Sequence, residues 1–571
     1  MTTRPNRLSR LTQQQVIQTI LIALAGLLIV SPLLVLVKTS LTPASLLPLE
    51  TLKITFQNYV STFGRTDTYL LVLNTICYAF GSVIIALMIS TCLAWLTERT
   101  DLPLRGTIRI LMFSWMAVPP LVMSFGWILL LNPGNGALNV ILRNMFGLTK
   151  NPLNVYTMGM MIFISGMVLV PTSFIMISGA LRNMDPQLEN AATVAGAGRW
   201  TIIRYITVPL ISPSLLSVGI YAVMVMIQAF DIPLSIGLTA RVPVLSTRIY
   251  LLSTPESSLP QYGLSASFGV VLLILALLLM RSYFRFIRMG ERFRVVTGRG
   301  FRPRRITLGH WRFVGLGGAG LYFALMFLPL LILLWTSFLR FYQSPSISIL
   351  SLASLNNYRD ILNQPMVRRA LGNTVILVFS SATLVMTLSS LISWFSVRSK
   401  GWMAKWMDTL AFTPMAVPHI VMAIALLLLY IRTPLYGKIW LLILGHVTIY
   451  LAFGTRTMNG ALIQIHQELE NAATVSGAKW MTTLRRVLLP LLRPHILNGW
   501  FWVIAHSLRD LTIPLMLMTT SNVVLSSALW LVWESPNIPG AAALSMLMVL
   551  GFMLLVVPIQ ILTVRKIESH A

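Results

Sequence analysis

A chain of 571 residues with 56% apolar and only 10% charged side chains cannot cover a soluble fold of that size, since soluble domains carry about a quarter charged residues. The formal net charge of +27 invites nucleic acid, but nine arginines stand against one acid, Glu291, between Phe284 and Arg312 alone, flanked by apolar spans. Such placement marks the cytoplasmic side of a membrane and faces anionic headgroups, so lipids and not nucleic acid are the expected partners of this charge.

The basic N-terminus (Arg4, Arg7, Arg10) leads into an apolar stretch too long for a signal peptide, with no small-residue cleavage site after it. It reads as a retained first helix. Apolar runs near the length of a bilayer crossing then predict spans near 15–37, 69–97, 108–131, 158–180, 211–236 and 263–284. After the basic stretch 285–312 they resume near 313–337, 371–397, 407–430, 438–460, 493–518 and 541–563. Cys77 and Cys92 are the only cysteines and share one apolar run, where they read as two small buried hydrophobes. The fold class is an all-α polytopic membrane protein with about 12 transmembrane helices.

The chain repeats itself. Leu188–Ala197 and Leu469–Ala478 share nine residues in ten at a spacing of 281. Farther upstream the spacing is 299: Asn74-Thr75 pairs with Asn373-Thr374, Trp95 with Trp394, and Met116–Pro119 with Met415–Pro418. The change of 18 falls where the first copy carries the loop Asn132–Asn154 and the second only a short connection near Ile431–Gly437. Residues 1–284 and 313–571 therefore read as two six-helix halves joined by a cytoplasmic linker, 285–312. Six spans each place the copies the same way up, a parallel repeat, with both termini cytoplasmic.

The repeated segment is the least membrane-like part of each half: a short alanine-rich helix closed by Gly196 or Gly477, where the backbone must turn. Pro209 and Pro490 are read as opening the fifth and eleventh spans. From Asn190-Ala191-Ala192 the pattern runs through Gly196 and Ile206 to Val208-Pro209, and from Asn471-Ala472-Ala473 through Gly477 and Val487 to Leu489-Pro490. The loops 181–209 and 462–490 thus resemble the cytoplasmic EAA motif of type I ABC import permeases, here as a fused double permease of the iron(III), thiamine, phosphonate and polyamine group. Asparagine replaces the first glutamate of the motif in both copies, with Glu189 and Glu470 one residue earlier.

The resemblance implies a transport subunit of a bacterial inner membrane and not an enzyme. Glu189, Asn190, Ala191, Ala192 and Gly196, with Glu470, Asn471, Ala472, Ala473 and Gly477, would contact two copies of a separate ABC ATPase on the cytoplasmic side. An extracytoplasmic binding protein would deliver the solute. Ferric iron is the expected solute, with thiamine, phosphonate or polyamine as alternatives. An ion-coupled secondary transporter also suits parallel halves but leaves the two motifs without a purpose. The chain has no GxxxxGK[ST], HExxH or CxxC motif, so no catalytic residue, cofactor or metal site is expected.

Ionisable residues at membrane depth are functional candidates. Arg509 and Asp510 in the eleventh span, with Gln228 and Asp231 in the fifth, are expected to line the pathway; His419, His446 and His506 are further candidates. Adjacent on a helix, Arg509 and Asp510 would point about 100° apart.

Overall fold

The computed structural model describes residues 7–43, 53–182, 187–255, 258–291, 306–399, 401–478 and 480–569, so most of the basic linker lies outside it. Among the described residues the chain is helical and has no named strand. In chain order the first repeat and its surroundings hold α1 (Arg7–Ser40), α2 (Thr66–Arg99), α3 (Arg105–Trp115), α4 (Pro120–Leu131), α5 (Ala137–Phe146), α6 (Met158–Arg182), α7 (Gln187–Val194), α8 (Val208–Ile227) and α9 (Tyr262–Glu291). There follow α10 (Trp311–Ser337), α11 (Pro365–Arg398), α12 (Trp402–Phe412), α13 (His419–Tyr430), α14 (Ile439–Gln464), α15 (Glu468–Val475), α16 (Leu489–Arg509), α17 (Thr512–Leu517) and α18 (Ile538–Ser569).

Nine of the described helices are long and apolar enough to cross a membrane, and eleven spans result if two bent pairs each count once. The bent pairs correct the sequence reading of continuous spans at 108–131 and 407–430. α3 and α4 meet at 98°, and α12 and α13 at 107°. Proline is the cause: it lacks an N–H, and it pushes the preceding residue to extended backbone. Val417 accordingly sits at φ −91°, ψ 118°, and Pro119 and Pro418 are extended too. The half-helices beyond the bends are buried along nearly their whole length, Leu121–Leu131 and Ile420–Leu428. Apolar residues on every face suit that position. The twelfth predicted span, 541–563, falls within α18.

Pro209 and Pro490 also depart from the reading. They stand second in α8 and α16, but helical backbone already begins at Arg199 and Trp480, a few residues earlier. Each proline instead follows a π-helical turn, Ile203–Thr207 or Leu484–Leu488, whose wider ring lets Val208 N–H reach Ile203 O and Leu489 N–H reach Leu484 O. A π-turn is a way to keep a helix running where proline removes one bond of the ladder.

Two compact packing units exist, and they are not the sequence repeats. One comprises 1–64, 249–274 and 365–528; the other comprises 65–248, 275–364 and 529–571. In the first unit α1 packs on α12 and α13, while α11 packs on α14 and α16. In the second unit α10 packs on α4 and α18, while α2 packs on α6 and α8. Each repeat's first helix thus packs in the unit that holds the other repeat's central helices.

Contacts inside each unit use small residues and short hydroxyls, which let membrane helices approach closely. In the second unit Tyr78 and Ser165 hydroxyls hydrogen-bond at 2.7 Å between α2 and α6. Ser393 Oγ donates to Thr455 O at 3.1 Å between α11 and α14 in the first. Ile306 N–H donates to Arg99 O and Asp101 N–H to Ile306 O, so the linker's end pairs with the chain just beyond α2. Cys77 and Cys92 are exposed on α2 and are free thiols, which corrects their reading as buried: apolar side chains on a spanning helix satisfy lipid as well as a core.

Gly126 marks one of the closest backbone contacts, since a Cβ there would stand 2.5 Å from Pro329 Cβ and 2.7 Å from Pro329 C. Backbone cannot step aside for it, and overpacking costs about 1–3 kcal/mol. Gly126→Leu is expected to lower the detergent melting temperature by several degrees, whereas Gly320→Leu, with nothing within 4 Å of its Cβ, leaves it unchanged.

Candidate functional site: two capped helices and a histidine–aspartate cluster

The two repeated motifs fold alike. In each, Leu-Glu-Asn-Ala-Ala-Thr-Val and the residue before it, Gln187 or Glu468, form an eight-residue helix, α7 or α15, with a left-handed glycine beyond its last turn, Gly196 at φ +82° and Gly477 at φ +80°. Ala197 N–H donates to Ala192 O and Gly196 N–H to Thr193 O; Ala478 N–H donates to Ala473 O and Gly477 N–H to Thr474 O. These are the paired bonds of a Schellman cap, which satisfy the last carbonyls of a helix and favour glycine for its positive φ. Nothing lies within 4 Å of a Cβ at either glycine, so the requirement is conformational and not spatial.

The glutamates turn inward. Arg99, the last residue of α2, forms an ion pair with Glu189 and is only 1% exposed. Thr207 Oγ1 donates to Glu189 Oε1 at 2.7 Å. In the second copy Arg398, the last residue of α11, donates from Nε to Glu470 Oε1 at 2.7 Å. Trp394 Nε1 donates to Glu470 Oε2 at 3.3 Å. Arg398 Nη2 also donates to Leu462 O and Ile465 O at the end of α14. Arg99 and Arg398 stand at the same 299-residue spacing as Trp95 and Trp394. Sequence reading missed both arginines, though that spacing held the signal.

Both helices expose apolar side chains at equivalent positions. Val194 and Val475, equivalent in the repeats, are each 89% exposed, and Leu188 and Leu469 are about half exposed. Asn471 and Ala472 are exposed and Ala473 half-buried; Ala191 is exposed and Ala192 half-buried, while the side chain of Asn190 lies outside the described residues. α15 buries none of its residues.

The pathway candidates lie at helix breaks. Gln228 caps the end of α8 and donates from Nε2 to Met224 O. Asp231 follows in the break before the π-turn Pro233–Gly237, and its carbonyl accepts from Ser235 Oγ. Arg509 ends α16, and Asp510 is already extended at φ −68°, ψ 123°. The expectation of two neighbours about 100° apart on one helix is therefore corrected. With Pro514 four residues on, the chain leaves the helix at Asp510 and resumes in α17.

Asp510 gathers two of the three histidines singled out from the sequence. Its carboxylate lies 3.4 Å from His446 Nε2 and 3.9 Å from His419 Nδ1, and its side chain is 8% exposed against 0% for His446. His446 Nδ1 stands 2.8 Å from Leu442 O; a carbonyl only accepts, so Nδ1 carries the hydrogen. His446 Nε2 and Asp510 Oδ2 then face each other, with no other hydrogen-bond partner among the described residues. His506 stacks on Trp502 at 3.6 Å, and Tyr450 contacts His446 and Trp502 edge-on or tilted. No set of three or more His, Cys, Asp or Glu among the described residues is arranged to hold a metal ion.

The family described as "Binding-protein-dependent transport system inner membrane component" matches residues 86–289 and 386–565, once in each repeat. The spermidine/putrescine transport system permease protein PotC of Haemophilus influenzae is 28% identical over 42% of this chain and 93% of its own length. The ferric transport system permease protein FbpB of Actinobacillus pleuropneumoniae is 24% identical over 72% of this chain and 59% of its own length. The ABC transporter permease protein y4fN of Sinorhizobium fredii is 24% identical over 70% of each chain. With two matches that together cover more than half of its residues, this all-α polytopic chain belongs to the binding-protein-dependent inner membrane permeases of ABC transport systems.

Proposed function

We propose that this chain is the fused double permease of an ATP-driven importer in a bacterial inner membrane. Residues 1–284 and 313–571 form its two parallel halves. α7 and α15 dock one each into two copies of a separate ABC ATPase on the cytoplasmic side, with the linker 285–312 and both termini on that side as well. One observation carries this reading: two equivalent helices, capped alike, each expose a valine at 89%, and α15 buries none of its residues. An ATPase dimer has two equivalent sockets, and a single-chain permease must fill both. Asn190, Ala191, Ala192 and Gly196, with Asn471, Ala472, Ala473 and Gly477, shape the docked surface, and Glu189 and Glu470 hold it from behind.

An extracytoplasmic binding protein delivers the solute, which is ferric iron. Similarity to the ferric permease extends over 72% of the chain and so over both repeats, whereas that to the polyamine permease covers 42%. Polyamine, phosphonate and thiamine are the alternatives. Gln228, Asp231, Arg509 and Asp510 line the pathway, because polar groups at proline-weakened breaks lie where water reaches a helix.

The docking reading is tested by Val194→Asp/Val475→Asp. Removing an interface anchor costs about 2 kcal/mol or more, so the double variant should lose the ATPase on co-purification while still inserting. Retention of the ATPase rejects the assignment. For the solute, membrane vesicles carrying the complex should take up ferric iron on ATP addition; uptake of spermidine alone transfers the assignment to polyamines. For the pathway, Asp510→Asn should slow uptake while the melting temperature stays within about 2 °C. Lowered stability with normal uptake per folded molecule would make Asp510 a packing residue only.

A further inference from the structure

We infer that the Arg99–Glu189 and Arg398–Glu470 pairs are struts that make each docking helix move with the second span of its own repeat. The inference rests on the reading of α7 and α15 as ATPase-docking helices.

The case begins with how little else holds these helices. Eight residues are too few for a helix to be stable alone, and α15 has no buried residue. Each helix has two covalent connections. One runs back to the fourth span; the other runs forward through the left-handed glycine to the π-turn that begins the fifth. A glycine turn and a widened helical turn are compliant joints. A push on the exposed face of α15 would be absorbed there unless something stiffer ran in parallel.

The ion pair is that parallel route. It joins the helix to the end of a 34-residue span, α2 or α11, which packs along α6 or α14. Its side chains are largely shielded: 1% and 15% exposed for Arg99 and Glu189, 11% and 13% for Arg398 and Glu470. Shielded charges hold each other more strongly than surface ones, and either alone is costly to leave unpaired. Arg398 adds bonds to two carbonyls at the end of α14, so one guanidinium ties α11, α14 and α15 together. The forked, planar donor set of arginine is suited to that task.

The same pair appears in both repeats although its members belong to segments with different repeat spacings, 299 for the arginine and 281 for the glutamate. The surroundings differ. In the first copy Glu98 is bound by Arg109 at 2.6 Å and Arg182 at 3.3 Å. The second copy has valine, aspartate and isoleucine at the corresponding positions 397, 408 and 463. Only the strut itself is common to both. Arg99 and Arg398 are thus positioning residues, which act through the helix they hold.

The test uses the complete complex, permease with its ATPase and binding protein, in proteoliposomes. It reads solute moved per ATP hydrolysed. Arg398→Gln should keep the ATPase bound and its basal hydrolysis intact, yet lower the transport ratio roughly tenfold, in the usual range of a coupling between sites. Glu470→Gln should lower the ratio similarly. The double neutralisation should be no worse than either single, since the pair is removed as a unit. Arg398→Lys, which keeps the charge without the fork, should recover most of the ratio. Arg99→Gln repeats the test in the other copy should the Arg398 variant not accumulate. An unchanged ratio in Arg398→Gln, losses that multiply in the double variant, or a ratio that falls only in step with melting temperature overturns the strut. If the unmodified complex holds no ATPase on α15, the docking reading fails first, an outcome visible before any strut variant is made.

Discussion

Inside a hydrocarbon layer every backbone N–H and C=O must find its partner within the protein, and the architecture depends on how this chain meets that demand. Its long helices do so directly. Where proline makes the ladder impossible, the chain uses two devices. At Pro209 and Pro490 it widens one turn into a π-helix and continues. At Pro119 and Pro418 it bends by about a right angle and sends the following half-helix into the interior. α4 and α13 are buried almost throughout, which keeps their freed backbone groups away from lipid. The candidate pathway residues collect at breaks of this kind, because a helix end offers polar groups that a continuous span withholds.

Charge is handled by the same economy. Arg99 is 1% exposed, a position tolerable for a guanidinium only with a carboxylate beside it. The glutamate that serves it stands one residue before the position where the EAA pattern has its own. One residue on a helix is about 100° of rotation. Moving the carboxylate from position 190 to 189, or from 471 to 470, therefore swings it from the outer face toward the end of the second span. The exposed Asn471 and the half-buried Glu470 show the two directions side by side. In α15 the Glu470 carboxylate thus faces inward while Asn471, Ala472 and Val475 face out.

Much of this was legible in the sequence for definite reasons. Apolar runs of bilayer length locate spans regardless of tertiary detail, and a repeat with nine identities in ten locates two equivalent helices and the glycines that close them. Bends were not legible, because MAVP inside an apolar run has the hydropathy of a straight span; only the stereochemistry of proline, applied at Val118 and Val417, points to them. The burial of Cys77 and Cys92 was misjudged because lipid-facing and core-facing positions share one composition. The arginine partners were missed because Arg99 and Arg398 sit at span ends, where basic residues are ordinarily read as orientation signals. The packing of α1 and α10 away from their own repeats leaves no local mark at all: both are plain apolar helices, each with one internal proline, Pro32 or Pro329.

Comparison of the two copies separates what the duplicated frame requires from what each copy does alone. Asn-Thr in the second span, MAVP at the bend, the capped helix and the arginine at the span end occur in both. All of them act on backbone geometry or on the placement of the short capped helix, which both halves share. The interior at the breaks is different. Where the second copy has His446, Tyr450, Trp502, His506 and Asp510, the first has Ser165, Leu169, Tyr221, Val225 and Ala229. An imidazole whose Nδ1–H is committed to Leu442 O and whose Nε2 faces Asp510 is a group that backbone geometry does not need. Because it costs desolvation and serves no common structural purpose, its presence in one copy only marks a place where the two copies differ in more than backbone geometry.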